Sequence, residues 1–193
     1  MNMSKVEEKK QIKRENLLAS AYTLFNKKGF VDTSINDIVE YAGVAKGTFY
    51  LYFKDKWDIN EQVVTEKARL LFDEAIINTN DKRIDNFDDR IINIVDYIIE
   101  AFKDNPDLMK LINKDLSLGI FNNILTDDYI NIREMFINEL KKYNKRIKNP
   151  DVTLYMIIEL VGSSIYNSII NGIPLSIDEY KPYLFNQIRK IIK

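Results

Sequence analysis

Six glycines and four prolines are all that interrupt this chain of 193 residues, and no segment alternates apolar with polar positions over a strand's length. A chain so short of breakers, with apolar side chains returning every three to four positions, folds as helices. From Gln11 to Lys28, Leu17, Ala21, Leu24 and Phe25 fall at i, i+4, i+7 and i+8, one stripe along a helix. Gly29 follows Lys27 and Lys28, where a residue just past a helix end belongs. Thr33 or Ser34 caps a short second helix holding Ile35, Ile38 and Val39, and Asp37 suits its first turn. Longer helices follow over Asp58–Asn78, Phe87–Lys103, Asp107–Leu118, Asp127–Lys145, Val152–Asn171 and Ile177–Ile192. Asn105-Pro106, Asn149-Pro150-Asp151 and Gly172-Ile173-Pro174 punctuate them. With a third short helix over Ala45–Phe53 the reading is all-α, about nine helices.

What the chain lacks narrows its chemistry. It has no cysteine and no histidine, so thiol nucleophiles, thiolate metal sites, the commonest general base and the commonest zinc ligand are all missing. No cluster of carboxylates and lysines stands at a catalytic spacing, so we read no catalytic residue, no metal, no cofactor and no enzyme. No apolar run approaches a membrane span and Met1–Lys10 is too charged for a secretory signal, which leads to the expectation of a cytoplasmic protein with no membrane partner. Net charge is −1 overall, but residues 1–60 hold ten Lys/Arg against eight Asp/Glu, and residues 1–30 hold seven against three. The N-terminal end therefore has the sign that suits phosphate.

One segment points to a partner. Thr33 to Lys56 reads TSINDIVEYAGVAKGTFYLYFKDK. Ala42-Gly43-Val44 supplies the sharp turn that a helix-turn-helix needs, with Gly43 free to take positive φ. On the helix after it, Phe49 and Phe53 are four apart and pair inward. Lys46, Gly47, Tyr50 and Leu51 then fall on the opposite arc, flanked by Thr48 and Tyr52. Lys46 can reach a phosphate or a guanine edge, and bare Gly47 lets the helix approach DNA closely. Thr48 and Tyr50 can offer hydroxyls, Tyr52 can reach the DNA backbone, and Lys54 and Lys56 add charge. Each of these is also compatible with turn and core of a plain helical bundle. The combination favours duplex DNA.

Residues Leu17–Ile59 resemble the TetR family of bacterial repressors. They carry Ala21, Leu24 and Phe25, then Gly29-Phe30, Thr33-Ser34-Ile35, Asp37-Ile38, Ala42-Gly43-Val44, Lys46-Gly47-Thr48-Phe49-Tyr50, Tyr52-Phe53-Lys54 and Lys56. The match is specific and covers about a quarter of the chain. It implies a DNA-binding domain over 1–56 and a helical effector-binding and dimerisation domain over 57–193; residues 1–10, polar and charged, are read as a flexible arm. It implies Lys46, Gly47, Thr48 and Tyr50 in the groove, Thr33, Tyr52 and Lys56 on phosphates, and Asn36 as a further base-reading candidate. It also implies a homodimer joined through the last two helices, bound to a near-palindromic operator and released by an unknown small molecule. Two positions depart from the family pattern. Ala45 stands where a serine cap is common, and Leu51 fills a variable position.

The second half carries no ligand signature. Val152–Asn171 is apolar almost all round and is expected to be buried on more than one side. Tyr155, Glu159, Gly162, Ser163 and Tyr166 line one of its stripes, with Glu159 read as a pocket acid or an interface contact. Tyr180, Leu184, Ile188 and Ile191 form a second stripe for pairing. Phe102, Met109, Phe121, Met135 and Phe136, with Tyr155 and Glu159, are the ligand candidates. The alternative is a DNA-bound factor that contacts another protein and takes no small molecule.

Overall fold

A computed structural model of the chain describes residues 4–80, 86–113 and 130–193. The described residues form nine helices and no strand. These are α1 (Lys5–Lys28), α2 (Ile35–Tyr41), α3 (Lys46–Phe49), α4 (Lys56–Asn80), α5 (Phe87–Asp104), α6 (Pro106–Asn113), α7 (Ile130–Tyr143), α8 (Pro150–Asn171) and α9 (Ile177–Ile192). The chain divides into two compact units, Met1–Glu66 and Lys67–Lys193, the division falling within α4.

The first unit is a small three-helix body closed by the start of α4. Leu17, Leu18, Ala21, Leu24 and Phe25 of α1, Ile38 and Val39 of α2, and Phe49, Phe53 and Ile59 form its core. Gly29 ends α1 at φ 84° and Gly43 turns the chain after α2 at φ 66°, both in the region that favours glycine. The start of α1 differs from the sequence reading. Residues 4–10, expected as a frayed arm, are helical from Lys5 because Ser4 and Glu7 form a reciprocal capping box. The Ser-x-x-Glu signature was present in the sequence, and charge along the stretch concealed it.

In the second unit α9 packs on α8 and α5, and α8 also meets α6 and α7. Asn149 caps α8 at its start and Gly172, at φ 65°, ends it. Ion pairs tie α9 to α5 in antiparallel order. Lys103 meets Asp178 at 2.7 Å, Lys181 meets Asp96 at 2.6 Å and also Glu100, and Arg189 meets Asp89 at 2.9 Å.

Three expectations for this unit are corrected. The face of α8 bearing Val152, Tyr155 and Met156 is exposed, where the expectation was of a helix buried on more than one side. On α9, Leu184 and Ile188 point into the unit's own core, because α5 packs on that side; the exposed large apolar side chain of α9 is Tyr183. Finally, α8 is long and apolar enough to cross a membrane by length and composition alone, against the expectation that no apolar run approaches a span.

Candidate nucleic-acid interface

Everything that positions the reading surface is local. Ser34 caps α2: its hydroxyl accepts from the Asp37 N–H at 3.1 Å, while the Asp37 carboxylate accepts from the Ser34 N–H at 2.8 Å. Lys28, in the last turn of α1, reaches the same carboxylate at 2.8 Å. The Lys28 ammonium, followed by the Ser34 donors, holds the Asp37 carboxyl far below the usual carboxylate range. Helix α2 is thus tied to the end of α1 before the turn begins.

The turn itself runs through Ala42 and Gly43, with the Val44 N–H donating to Val39 O at 3.0 Å. Ala45 precedes α3 and supplies no side-chain cap. Helix α3 is shorter than expected. It spans one turn, and the chain then tightens, with the Leu51 N–H donating to Thr48 O and the Tyr52 N–H to Phe49 O. This leaves the arcs as anticipated. Phe49 and Phe53 are buried with ring centroids 5.5 Å apart. Lys46, Gly47, Tyr50 and Leu51 are exposed, and Thr48 and Tyr52 lie half-buried at the flanks. Tyr50 is 52% exposed and its ring stands edge-on to Phe49 at 5.3 Å, so the core orients a side chain that faces out. Leu51 is 78% exposed, which nothing in the core explains.

Gly47 is informative. It is helical, its φ is not positive, and a Cβ built on it meets nothing within 4 Å. Neither the backbone nor the packing of this chain requires glycine there. A glycine in a helix costs roughly 1 kcal/mol relative to alanine. Asn36, on α2, is exposed as well.

Two of the sequence-derived contacts turn inward. Thr33 is buried, and its hydroxyl donates to Gly29 O at 2.8 Å with Leu24 O at 3.3 Å. A β-branched hydroxyl next to a helix end prefers these free carbonyls to an external phosphate. Lys56 is half-buried. Its ammonium donates to Phe30 O at 2.8 Å, Thr33 O at 2.9 Å and Val31 O at 3.2 Å, and lies 4.4 Å from the Phe30 ring centre. It braces the loop between α1 and α2 from the start of α4. The spacing that identified these residues carries no information on which way the side chains point. A further brace went unnoticed in the sequence. Arg14 donates to Gln62 Oε1 and its guanidinium lies 5.9 Å from the Phe53 ring centre, joining α1, α4 and the end of the reading segment.

Residues 17–63 match the pattern described as bacterial regulatory proteins, tetR family. Over this segment the chain is similar to the tetR family. Its likeness to the uncharacterised HTH-type transcriptional regulator YdgC of Bacillus subtilis is 27% identity over 124 residues, 58% of this chain and 63% of the relative. An HTH-type transcriptional regulator of Staphylococcus aureus strain USA300 is 26% identical over 178 residues, 90% of each chain. The transcriptional regulator FadR of Bacillus subtilis, solved in complex with stearoyl-CoA, shares the fold with a TM-score of 0.62. Its identity is 16%, over 90% of this chain and 96% of that one. Both relatives are named as HTH-type transcriptional regulators.

The ligand candidates of the second unit scatter. Phe102 and Met109 are fully buried, Phe136 is half-buried with its ring 5.4 Å from Phe87, and Phe121 lies outside the described residues, as does the side chain of Met135. Tyr155 and Glu159 sit toward the open side of α8, where the carboxylate accepts from the phenol and raises the Tyr155 pKa.

Proposed function

We propose that this protein is a homodimeric transcriptional repressor that binds a near-palindromic operator and is released by a small molecule. In this reading the first unit reads DNA. Lys46, Gly47, Thr48 and Tyr50 enter the major groove, Asn36 and Tyr52 flank it, and two chains place their α3 segments about 34–36 Å apart. The observation that carries the proposal is Gly47, an exposed helical glycine with no internal reason to be glycine, set between Lys46 and Tyr50. Close approach by an external backbone accounts for it.

Residues 57–193 would supply the dimer and the effector site. The open face of α8, with Val152, Tyr155 and Met156, and Tyr183 on α9 support pairing through the last two helices. That also makes α8 a packing helix of a cytoplasmic protein, with its apolar length used between chains. Phe102, Met109 and Phe136 are the described apolar candidates for an effector. The stearoyl-CoA held by the FadR neighbour makes a long-chain acyl-CoA the first ligand to titrate. To lower operator occupancy, the ligand must bind the DNA-free form more tightly, typically by about 1–3 kcal/mol.

The test is a gel shift on the region upstream of the protein's own coding sequence. Wild type should retard it in preference to scrambled duplex of equal length. Tyr50→Ala, on an exposed ring, should lose that preference with an unchanged far-UV CD spectrum. Equal retardation of both duplexes by wild type would refute the reading.

A further inference from the structure

Helix α1 extends well beyond the body it helps to build. Every residue from Ser4 to Lys13 is exposed, whereas burial begins in earnest at Leu17. The overhang Lys5–Lys13 is about 13 Å long at 1.5 Å per residue. Its capping box fixes a helical start where no packing demands one.

The charge on this overhang is sorted. Lys5, Lys9 and Lys13 recur at i, i+4 and i+8 and share one face, with Lys10 beside them. Glu8, three residues after Lys5, borders this face on one side, Glu15 lies beyond it, and Glu7 is bound to the Ser4 N–H at 2.8 Å. Among the described residues none of the four lysines is held in a salt bridge. The exposed apolar residues Val6 and Ile12 are six positions apart, about 120° around the helix, so they do not form the single apolar face that a lipid surface requires.

The root of the overhang lies beside the reading segment. Arg14, the next residue, has its guanidinium over the Phe53 ring, and Phe53 packs against Phe49 and Tyr52 at centroid distances of 5.5 and 6.4 Å. Lys13 therefore departs from a position adjacent to the end of the segment that carries Lys46 to Tyr52.

We propose that the lysine face of the α1 overhang is a second DNA contact, sequence-blind, that grips phosphates flanking the half-site read by α3. The proposal rests on the DNA-binding reading above and adds a distinct surface to it. Lysine neutralising a phosphate releases a counterion, and each such contact contributes about 0.9 to the slope of log affinity against log salt. Four lysines thus account for up to about 3.6 of that slope per chain.

The experiment compares full-length wild type with the Lys5→Gln/Lys9→Gln/Lys10→Gln/Lys13→Gln variant by fluorescence anisotropy, over a series of KCl concentrations. Glutamine preserves helix-forming tendency at these exposed positions, and far-UV CD checks the fold. Three duplexes are used: the upstream region with long flanks, the same site trimmed to its two half-sites, and a scrambled sequence of full length. The variant should show a shallower salt slope on both long duplexes, an unchanged ratio of operator to scrambled affinity, and near-equality with wild type on the trimmed site. Equal slopes for the two proteins on the long duplexes would overturn the proposal, as would a loss confined to operator sequence. Wild type that does not discriminate operator from scrambled DNA would overturn the role of α3 instead. The slope difference on the scrambled duplex would still decide the role of the overhang.

Discussion

Replacing Lys56 separates a brace from a DNA contact. In Lys56→Met the apolar stem stays against Phe30 while the ammonium is removed from three carbonyls. Val31 O is exposed and regains water, so its loss costs little. Phe30 O and Thr33 O are partly enclosed, at 2.8 and 2.9 Å from the ammonium. At about 1–1.5 kcal/mol each after partial rehydration, with about 0.5–1 kcal/mol for the cation above the Phe30 ring, the variant should lose about 3 kcal/mol. The assay is urea unfolding without DNA, followed by tryptophan fluorescence. Trp57 is the chain's single tryptophan, and its ring centroid lies 4.4 Å from that of Phe30, so the signal reports on this cluster. With an m-value of about 1–3 kcal/mol/M, the midpoint should fall by roughly 1–3 M. Lys54→Met, at an exposed position nearby, should leave the midpoint in place. An unchanged midpoint for Lys56→Met, with a salt slope of DNA binding reduced by about 0.9, would refute the brace and restore the phosphate contact.

Other outcomes follow from the same geometry. Gly47→Ala should raise the stability of the free protein by up to about 1 kcal/mol, since the added methyl meets nothing, while weakening operator binding; stability by urea and affinity by anisotropy should move in opposite directions. Asp37 has its folded pKa depressed, so its contribution is present above the ordinary carboxylate pKa near 4 and is lost as pH falls toward the folded value. Asp37→Asn should therefore narrow its stability gap to wild type as pH is lowered below about 4, and a constant gap would exclude this linkage. Met156→Asp, on the open face of α8, should shift the protein toward a monomer in sedimentation velocity with its helical content retained.

The helices were legible because their ends are marked chemically. Gly29, Gly43 and Gly172 all take the positive φ that their positions implied, and Asn149-Pro150 starts α8 as its residue types demand. The inward pairing of Phe49 with Phe53 followed from spacing alone, as did the exposed arc of Lys46, Gly47, Tyr50 and Leu51. Direction was less legible. Thr33 and Lys56 lie where a motif places DNA contacts, but carbonyls at the end of α1 hold the Thr33 hydroxyl and carbonyls of the following loop hold the Lys56 ammonium, and sequence spacing does not show those carbonyls. On α9 the apolar stripe through Leu184 and Ile188 was visible. Whether it faced the same chain or a second one depended on α5, which lies far away in sequence. The short α3 reflects the tightening at its C-terminal end, where i→i−3 bonds at Leu51 and Tyr52 lead into buried Phe53.

Hydroxyl-radical footprinting of the protein's own upstream region tests the central claim most directly, that paired α3 segments read DNA. The account predicts two protected patches related by a local dyad, with centres about one helical turn apart, at protein concentrations that leave scrambled DNA untouched. Protection at a single patch, or uniform protection along both sequences, would contradict it.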